Sequence, residues 1–342
     1  MPALSIHDIV KAIQQACEEG GGFAHFDKSS IRHNPRNFEI VTSDNNHISL
    51  WVYVWTLTFG GRATLPNEYR IQMTGVNSPL AMKTGHSSKT ILIGYEPKLD
   101  AFAGFDIRKH RIFTQGSPSI QININALRRA LALGMAFDKK TNDEIAIGFR
   151  KDNFLNYVTY SDMLHEYGVT EDATESIERL EQVVSEDEFK KEIRQYEQRQ
   201  KSFKRKTIVT EVSRLSRRSN FREKVLRVYG RKCAVTGIQL KLGEAAHILP
   251  VAAPGSDDSI NNGLLLSPTY HKAFDLGLIY LDTNYVMRPN DAKLEELKRL
   301  GVDGGWIDFS QKLGQIILPI DSDFWPKKEF IERANEFRQI MP

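Results

Sequence analysis

The chain has 342 residues, 41% hydrophobic and 26% charged, with a net charge of +3. That is an ordinary globular composition, long enough for two domains that bury their own cores without staples. It excludes a disulfide framework, because only Cys17 and Cys233 are present, and a membrane-spanning helix, because no apolar run nears the roughly 20 residues required. The first residues lack the basic flank and apolar stretch of a signal peptide, so a cytoplasmic protein with no membrane partner is expected.

In chain order, residues 5–18 read as a helix with Ile6, Ile9, Val10, Ile13 and Ala16 on one stripe, stopped by Gly20, Gly21 and Gly22. Strand-like segments follow at 38–41, 48–58, 68–73, 90–94 and 101–106, punctuated by Gly, Pro, Asn and Ser. Residues 119–124 alternate apolar and polar, 126–136 read as a helix, 144–149 as a strand and 153–160 as a helix. This predicts one mixed α+β domain over residues 1–165. Trp51, Tyr53 and Trp55 share a strand face, which suits either a core between sheets or stacking on an extruded base. Arg70 and Gln72 share another, and both side chains can read purine edges. Arg62 adds positive charge nearby. A recognition role follows for Arg62, Arg70 and Gln72.

Residues 166–205 are mainly charged with helical spacing, the pattern of a helical linker. Residues 201–232 then hold twelve Lys or Arg against two acids, Glu211 and Glu223. A positive surface draws phosphate. Lys204, Arg205, Lys206, Arg214, Arg217 and Arg218 are therefore expected to contact a nucleic-acid backbone.

The chemistry gathers further on. Glu244, Ala245, Ala246 and His247 precede Pro250 on a short strand; Asn262 and Gly263 open the apolar run Leu264–Leu266; His271, Phe274, Asp275 and Gly277 follow. His271 and Asp275 are four apart, on one helical face, where imidazole and carboxylate can reach one cation. Imidazole also titrates near neutrality, as a base that deprotonates water must. This order of residues resembles the HNH nuclease family over about 221–290.

The resemblance implies a ββα-metal fold, with 206–342 as a nuclease domain. It implies His247 as general base, Asn262 as the loop's tie and His271 as a metal ligand. One divalent ion is expected, Mg²⁺ or Mn²⁺ foremost, with Zn²⁺ or Ni²⁺ also compatible with imidazole. Relatives often carry Asp or His just before the base, where this chain has Ala246. Glu244, or Asp275, is expected to supply the carboxylate instead. With Cys233 alone where relatives hold two CxxC pairs, no structural zinc is expected.

The expected function is a metal-dependent endonuclease of restriction or DNA-defence type. Its partner is double-stranded DNA, and it acts as a homodimer, since one such centre cuts one strand. Two rivals stand beside this reading. One is a non-catalytic DNA-binding protein on a degenerate HNH scaffold, and the other a nuclease gated by a small signalling ligand.

Overall fold

Ser5 starts helix α1 (Ile6–Glu19) by accepting from the Asp8 N–H at 3.2 Å, and Ile9, Val10, Ile13, Ala16 and Cys17 turn the apolar stripe inward. The structure, a computed structural model, describes residues 4–42, 46–83, 85, 87–114, 116, 118–140, 144–167, 176, 179–180, 183, 185–199 and 203–340. The chain is α+β and folds as two units: 1–182 with 195–219, and 183–194 with 220–342.

In the first unit, α1 is followed by β1 (Phe23–Phe26), β2 (Arg36–Val41), β3 (His47–Thr56), β4 (Thr58–Phe59), β5 (Glu68–Gln72), β6 (Ser88–Glu96) and β7 (Ala101–Phe105). Then come the short α2 (Ile107–His110), β8 (Ser119–Asn123), α3 (Ile124–Leu133), β9 (Met135–Lys139), β10 (Ile145–Arg150) and α4 (Phe154–Tyr167). Seven strands form one sheet in the order β1-β2-β3-β6-β7-β10-β9. Strands β3 and β6 are parallel, and a parallel pair needs a crossover. Here the crossover carries β4 and β5, which join β8 in a separate antiparallel sheet.

That second sheet lays Ile71, Ile120 and Ile122 against Tyr53, Leu92 and Phe105 of the large one. Helix α3 closes on the same face at Gly148, where a Cβ would meet Ala126 backbone at 3.0 Å. The opposite face takes α4. Tyr157 lies across Gly104, whose missing Cβ would stand 2.2 Å from the ring, and stacks on Phe149 at 4.3 Å. The expected helix over 126–136 stops earlier, at Gly134 with φ of 91°, and its apolar tail becomes strand β9.

The second unit begins where a linker was expected. Helix α5 (Glu186–Arg199) starts against the loop that holds Gly255 and Ser256: the Glu186 N–H reaches Ser256 O at 3.2 Å, and Asp187 accepts from the Gly255 N–H at 3.1 Å. Residues 183–194 thus belong to the second unit, while 168–175 lie outside the described residues. Helix α6 (Phe203–Val228) passes from one unit to the other at 219–220, so its basic first part belongs to the first unit, against the expected boundary at 206.

Strands β11 (Glu244–His247) and β12 (Gly263–Leu266) pair as a hairpin ahead of α7 (Pro268–Asp275). A three-stranded sheet of β13 (Ile279–Leu281), β14 (Val286–Pro289) and β15 (Gly314–Gln315) follows, with α8 (Asp291–Arg299), α9 (Trp306–Ser310) and α10 (Lys328–Phe337) around it. Phe221, Val225, Ala246, Leu264, Leu266, Phe274, Ile331 and Ala334 meet in its core.

One buried group gives the first unit a pH signature. His165 is buried, its Nδ1–H donating to Ile145 O and its Nε2 accepting from the Tyr157 hydroxyl, both at 2.9 Å. Burial pulls its pKa from 6.5 down to about 4, against the opposing pull of Asp106. The unfolded chain therefore takes up a proton below pH 6.5 that the folded chain refuses until about 4, so stability is complete above 6.5 and falls as pH drops through that window. The loss is on the order of 3 kcal/mol. Thermal unfolding between pH 7 and 4 should show this slope in the wild type, and His165→Gln should flatten it.

Candidate active site

The hairpin is short, and its geometry rests on one amide. Asn262 is fully buried; its Oδ1 accepts from the Leu249 N–H at 2.8 Å, and its Nδ2 donates to Asp257 O at 2.8 Å and Leu249 O at 3.2 Å. Its backbone carbonyl takes the Ile248 N–H at 2.8 Å. Both residues after His247 are thereby tied to the start of β12. Gly263 beside it has an extended backbone (φ −119°), so it serves close approach rather than a turn: a Cβ there would lie 2.5 Å from Val225 and 3.2 Å from Phe221. Without it α6 could not seat on the hairpin.

That seating sets the ring of His247. Phe221 stacks on it at 3.9 Å between centroids and 11° between planes. The ring's edge is fixed by Asp258, whose Oδ1 lies 3.0 Å from Nε2. An ionised carboxylate only accepts, so Nε2 donates to it, and a neutral ring in this orientation keeps its lone pair on Nδ1. A histidine held by a carboxylate with its other nitrogen open is the arrangement of a general base. Asp258 was not singled out in the sequence, where it is one of two adjacent aspartates in a loop.

Across the hairpin, Glu244 Oε2 accepts from His271 Nδ1 at 2.7 Å. The hydrogen-bonded His271 ring, with Arg222 beyond it, holds the Glu244 carboxyl below its ordinary range. Asp275 lies at the other end of the ring, 3.4 Å from Nε2. The two nitrogens point in opposite directions, so the two candidate carboxylates, Glu244 and Asp275, stand at opposite ends of the His271 ring. Among the described residues no three His, Cys, Asp or Glu form a metal cluster. Glu244 with His271 alone does fit a divalent ion. It joins a hard carboxylate to an imidazole at ligand spacing, and both side chains are part-exposed (49% and 23%), which leaves room for water and phosphate in the rest of the shell. Ala246 is buried in the core, so its position has no access to such a site.

Cys233 is also buried. Burial pushes its thiol pKa up, but hydrogen bonds from Thr236, Ser267 and Val235 outweigh it and leave a net lowering.

The expected phosphate contacts fare unevenly. Arg214 and Arg218 are exposed. Arg217 is 4% exposed, on the inward stripe of α6 with Ser213 and Phe221, and cannot grip a backbone. The side chains of Lys204, Arg205 and Lys206 lie outside the described residues. In the first unit Arg70 and Gln72 do turn outward, opposite the buried Ile71, with Gln121 and Ser119 as their register partners. Arg62 is engaged by Glu68 at 3.0 Å. Tyr53 lies in the core and gives its hydroxyl to Ala81 O at 3.1 Å, so the three aromatics are not a stacking platform together. Trp51 is half-buried, with Lys83 Nζ 5.3 Å above its ring.

With this geometry in place, residues 233–282 match the family described as HNH endonuclease. The chain carries an HNH endonuclease domain, and it is a nuclease. Residues 48–158 match a second family, described as methylase-associated X1. No curated protein matches the chain. Among solved structures, one similar chain is a modification-dependent restriction endonuclease, TagI, at 12% identity and a TM-score of 0.27, covering 94% of this chain and 93% of that one.

The amide knot of the HNH endonuclease domain makes a sharp prediction. Asn262→Asp keeps the shape and the Oδ1 acceptor but sets a carboxylate oxygen against the carbonyls of Leu249 and Asp257. Loss of two donated hydrogen bonds in a buried site should cost about 2–4 kcal/mol and most of the activity. Thermal unfolding and a plasmid-nicking assay would read both, and a variant as stable and active as wild type would contradict this role.

Proposed function

We propose that this protein is a metal-dependent DNA endonuclease of restriction type, in which the HNH unit cuts and the first unit chooses the target. The observation that carries the catalytic half is His247. Its Nε2 is held by Asp258, its face by Phe221, and its Nδ1 is left as base on the same hairpin that brings Glu244 to His271.

Glu244 and His271 would hold the ion, and Asp275, at the far ring nitrogen, would fix the ring's orientation as carboxylates behind metal-bound histidines do. A divalent cation bound there supplies positive charge for the scissile phosphate and the departing oxygen. His247 Nδ1 removes a proton from water; the water oxygen forms a bond to phosphorus as the bond to the leaving oxygen breaks. Asp258 stabilises the imidazolium that results. Asn262 touches no reacting atom and acts by holding the segment after His247.

The restriction-type reading is supported by the pairing of this nuclease with a domain whose family is described as methylase-associated. Arg70 and Gln72 face outward on the small sheet with side chains suited to base edges. Arg214 and Arg218, both exposed, suit backbone contacts that carry no sequence information. One centre cuts one strand, so cleavage of both strands takes two copies.

His247→Ala should slow cleavage by about 10²–10⁴ with DNA affinity nearly unchanged, and a chelator should silence the wild type. Full cleavage in excess EDTA would sink the metal reading, and a wild-type rate in the variant would remove His247. For target choice, Arg70→Ala should erode discrimination between modified and unmodified DNA of one sequence while leaving the salt dependence alone. Arg214→Ala with Arg218→Ala should weaken all DNA equally and flatten the salt slope by about 0.9 for each phosphate no longer neutralised. The reverse pattern would exchange the two roles.

A further inference from the structure

The centre holds Glu244, Asp258 and Asp275, three carboxylates, yet its substrate would be an anion. A cation supplied by the chain should therefore stand close by, and one does. Arg338 caps the end of α10, some 56 residues beyond the segment that matches the nuclease family. Its Nη1 donates to Ile248 O at 2.9 Å, the carbonyl next to His247. Its Cζ sits 4.6 Å above the ring of Phe274, between His271 and Asp275 on α7. The Asp275 carboxylate acts on its charge from farther off.

The helix that delivers it is firmly seated. Phe330, Ile331 and Ala334 lie in the core, and Asn335 donates to Leu281 O at 2.9 Å. The guanidinium is half-buried, has no carboxylate within ion-pair distance among the described residues, and uses one of its five N–H donors. A half-desolvated cation whose spare donors lack partners is a site made for an anion with several oxygens.

We propose that Arg338 is a phosphate-binding residue of the nuclease centre. It ties the base-bearing strand to the ligand-bearing helix through Ile248 and Phe274, and it offers its remaining N–H groups to the phosphodiester being cut. The proposal rests on the reading of His247 as base. Lysine could not serve both tasks, because a single ammonium lacks the planar fork.

The test uses the full-length protein with duplex DNA and saturating Mg²⁺ or Mn²⁺, comparing Arg338→Ala, Arg338→Lys and His247→Ala. Thermal unfolding, single-turnover cleavage and DNA affinity against salt are measured for each. Arg338→Ala should cleave about 10²–10³-fold more slowly, recover part of that rate when guanidinium ion is added at millimolar concentration, and lose about 0.9 from the salt slope. Arg338→Lys should melt near the wild type yet cleave at least tenfold more slowly. A wild-type cleavage rate in either variant would overturn the proposal. So would a rate loss that tracks lowered melting, with no guanidinium rescue and an unchanged salt slope, since Arg338 would then be a clamp only. If His247→Ala cleaves normally, the reading of the base has failed; if it is inactive while Arg338→Ala is normal, only Arg338 has been misassigned.

Discussion

Everything at the catalytic end depends on one buried primary amide. Asn262 satisfies both the N–H and the carbonyl of Leu249 and one carbonyl of the loop that ends in Asp258. A polar side chain with no solvent contact is tolerable only because each of its groups is paired. The same pairing makes it a rigid joint. It sets the exit of β11, hence the backbone of His247, and it holds the loop that brings Asp258 to the ring. Ser256 adds to the joint by donating its hydroxyl to Leu249 O at 2.9 Å.

The apolar side of the site is built by subtraction. At Gly263 the chain omits a side chain so that Phe221 and Val225 can close on the hairpin, and at Ala246 it keeps one small enough to stay in the core. Phe221 then shields one face of the His247 ring, which confines the ring's polar contacts to its edge. On that edge Nε2 of His247 meets the Asp258 carboxylate, while Glu244 emerges from the start of the same strand toward His271. A strand alternates its faces: Glu244 shares its face of β11 with the core residue Ala246, and His247 lies on the other face beside Phe221.

How much of this could be read in advance follows from sequence distance. His247, Asn262, His271 and Glu244 lie within 28 residues, and their spacing names them. The strands with period-two alternation around Ile71 and Ile122 were legible for the same reason, since burial on one face writes itself locally. Strands β1 and β9 of the first unit were not. β1 has four residues, too few for a period, and β9 continues the apolar run of α3 with only the positive φ of Gly134 to divide them. Asp258 could not be told from Asp257, because a loop has no period to assign faces. Phe221 and Arg338 reach the site from helices distant in sequence, where only packing brings them in. Arg217 shows what counting charges misses: Ser213, Arg217 and Phe221 repeat at four residues and are all buried, a helical stripe that marks the inward face of a basic helix.

The placement of these groups also bears on where specificity resides. His247, Asp258, Glu244, His271 and the half-buried Arg338, the groups proposed for the chemistry, all come from residues 221–338, within one unit. In the proposed roles each of them is committed to water, to a cation or to a phosphate oxygen rather than to the edge of a base. Phosphate contacts set register and strength without conveying sequence. On the reading proposed above, a cutter of this make-up would nick DNA with little preference. Discrimination must then come from side chains that can pair with base edges, and on exposed regular structure Arg70 and Gln72 of β5 are of that kind. Because those residues belong to a different unit from the groups proposed for catalysis, the proposed division of labour makes target choice and bond cleavage separable by mutation.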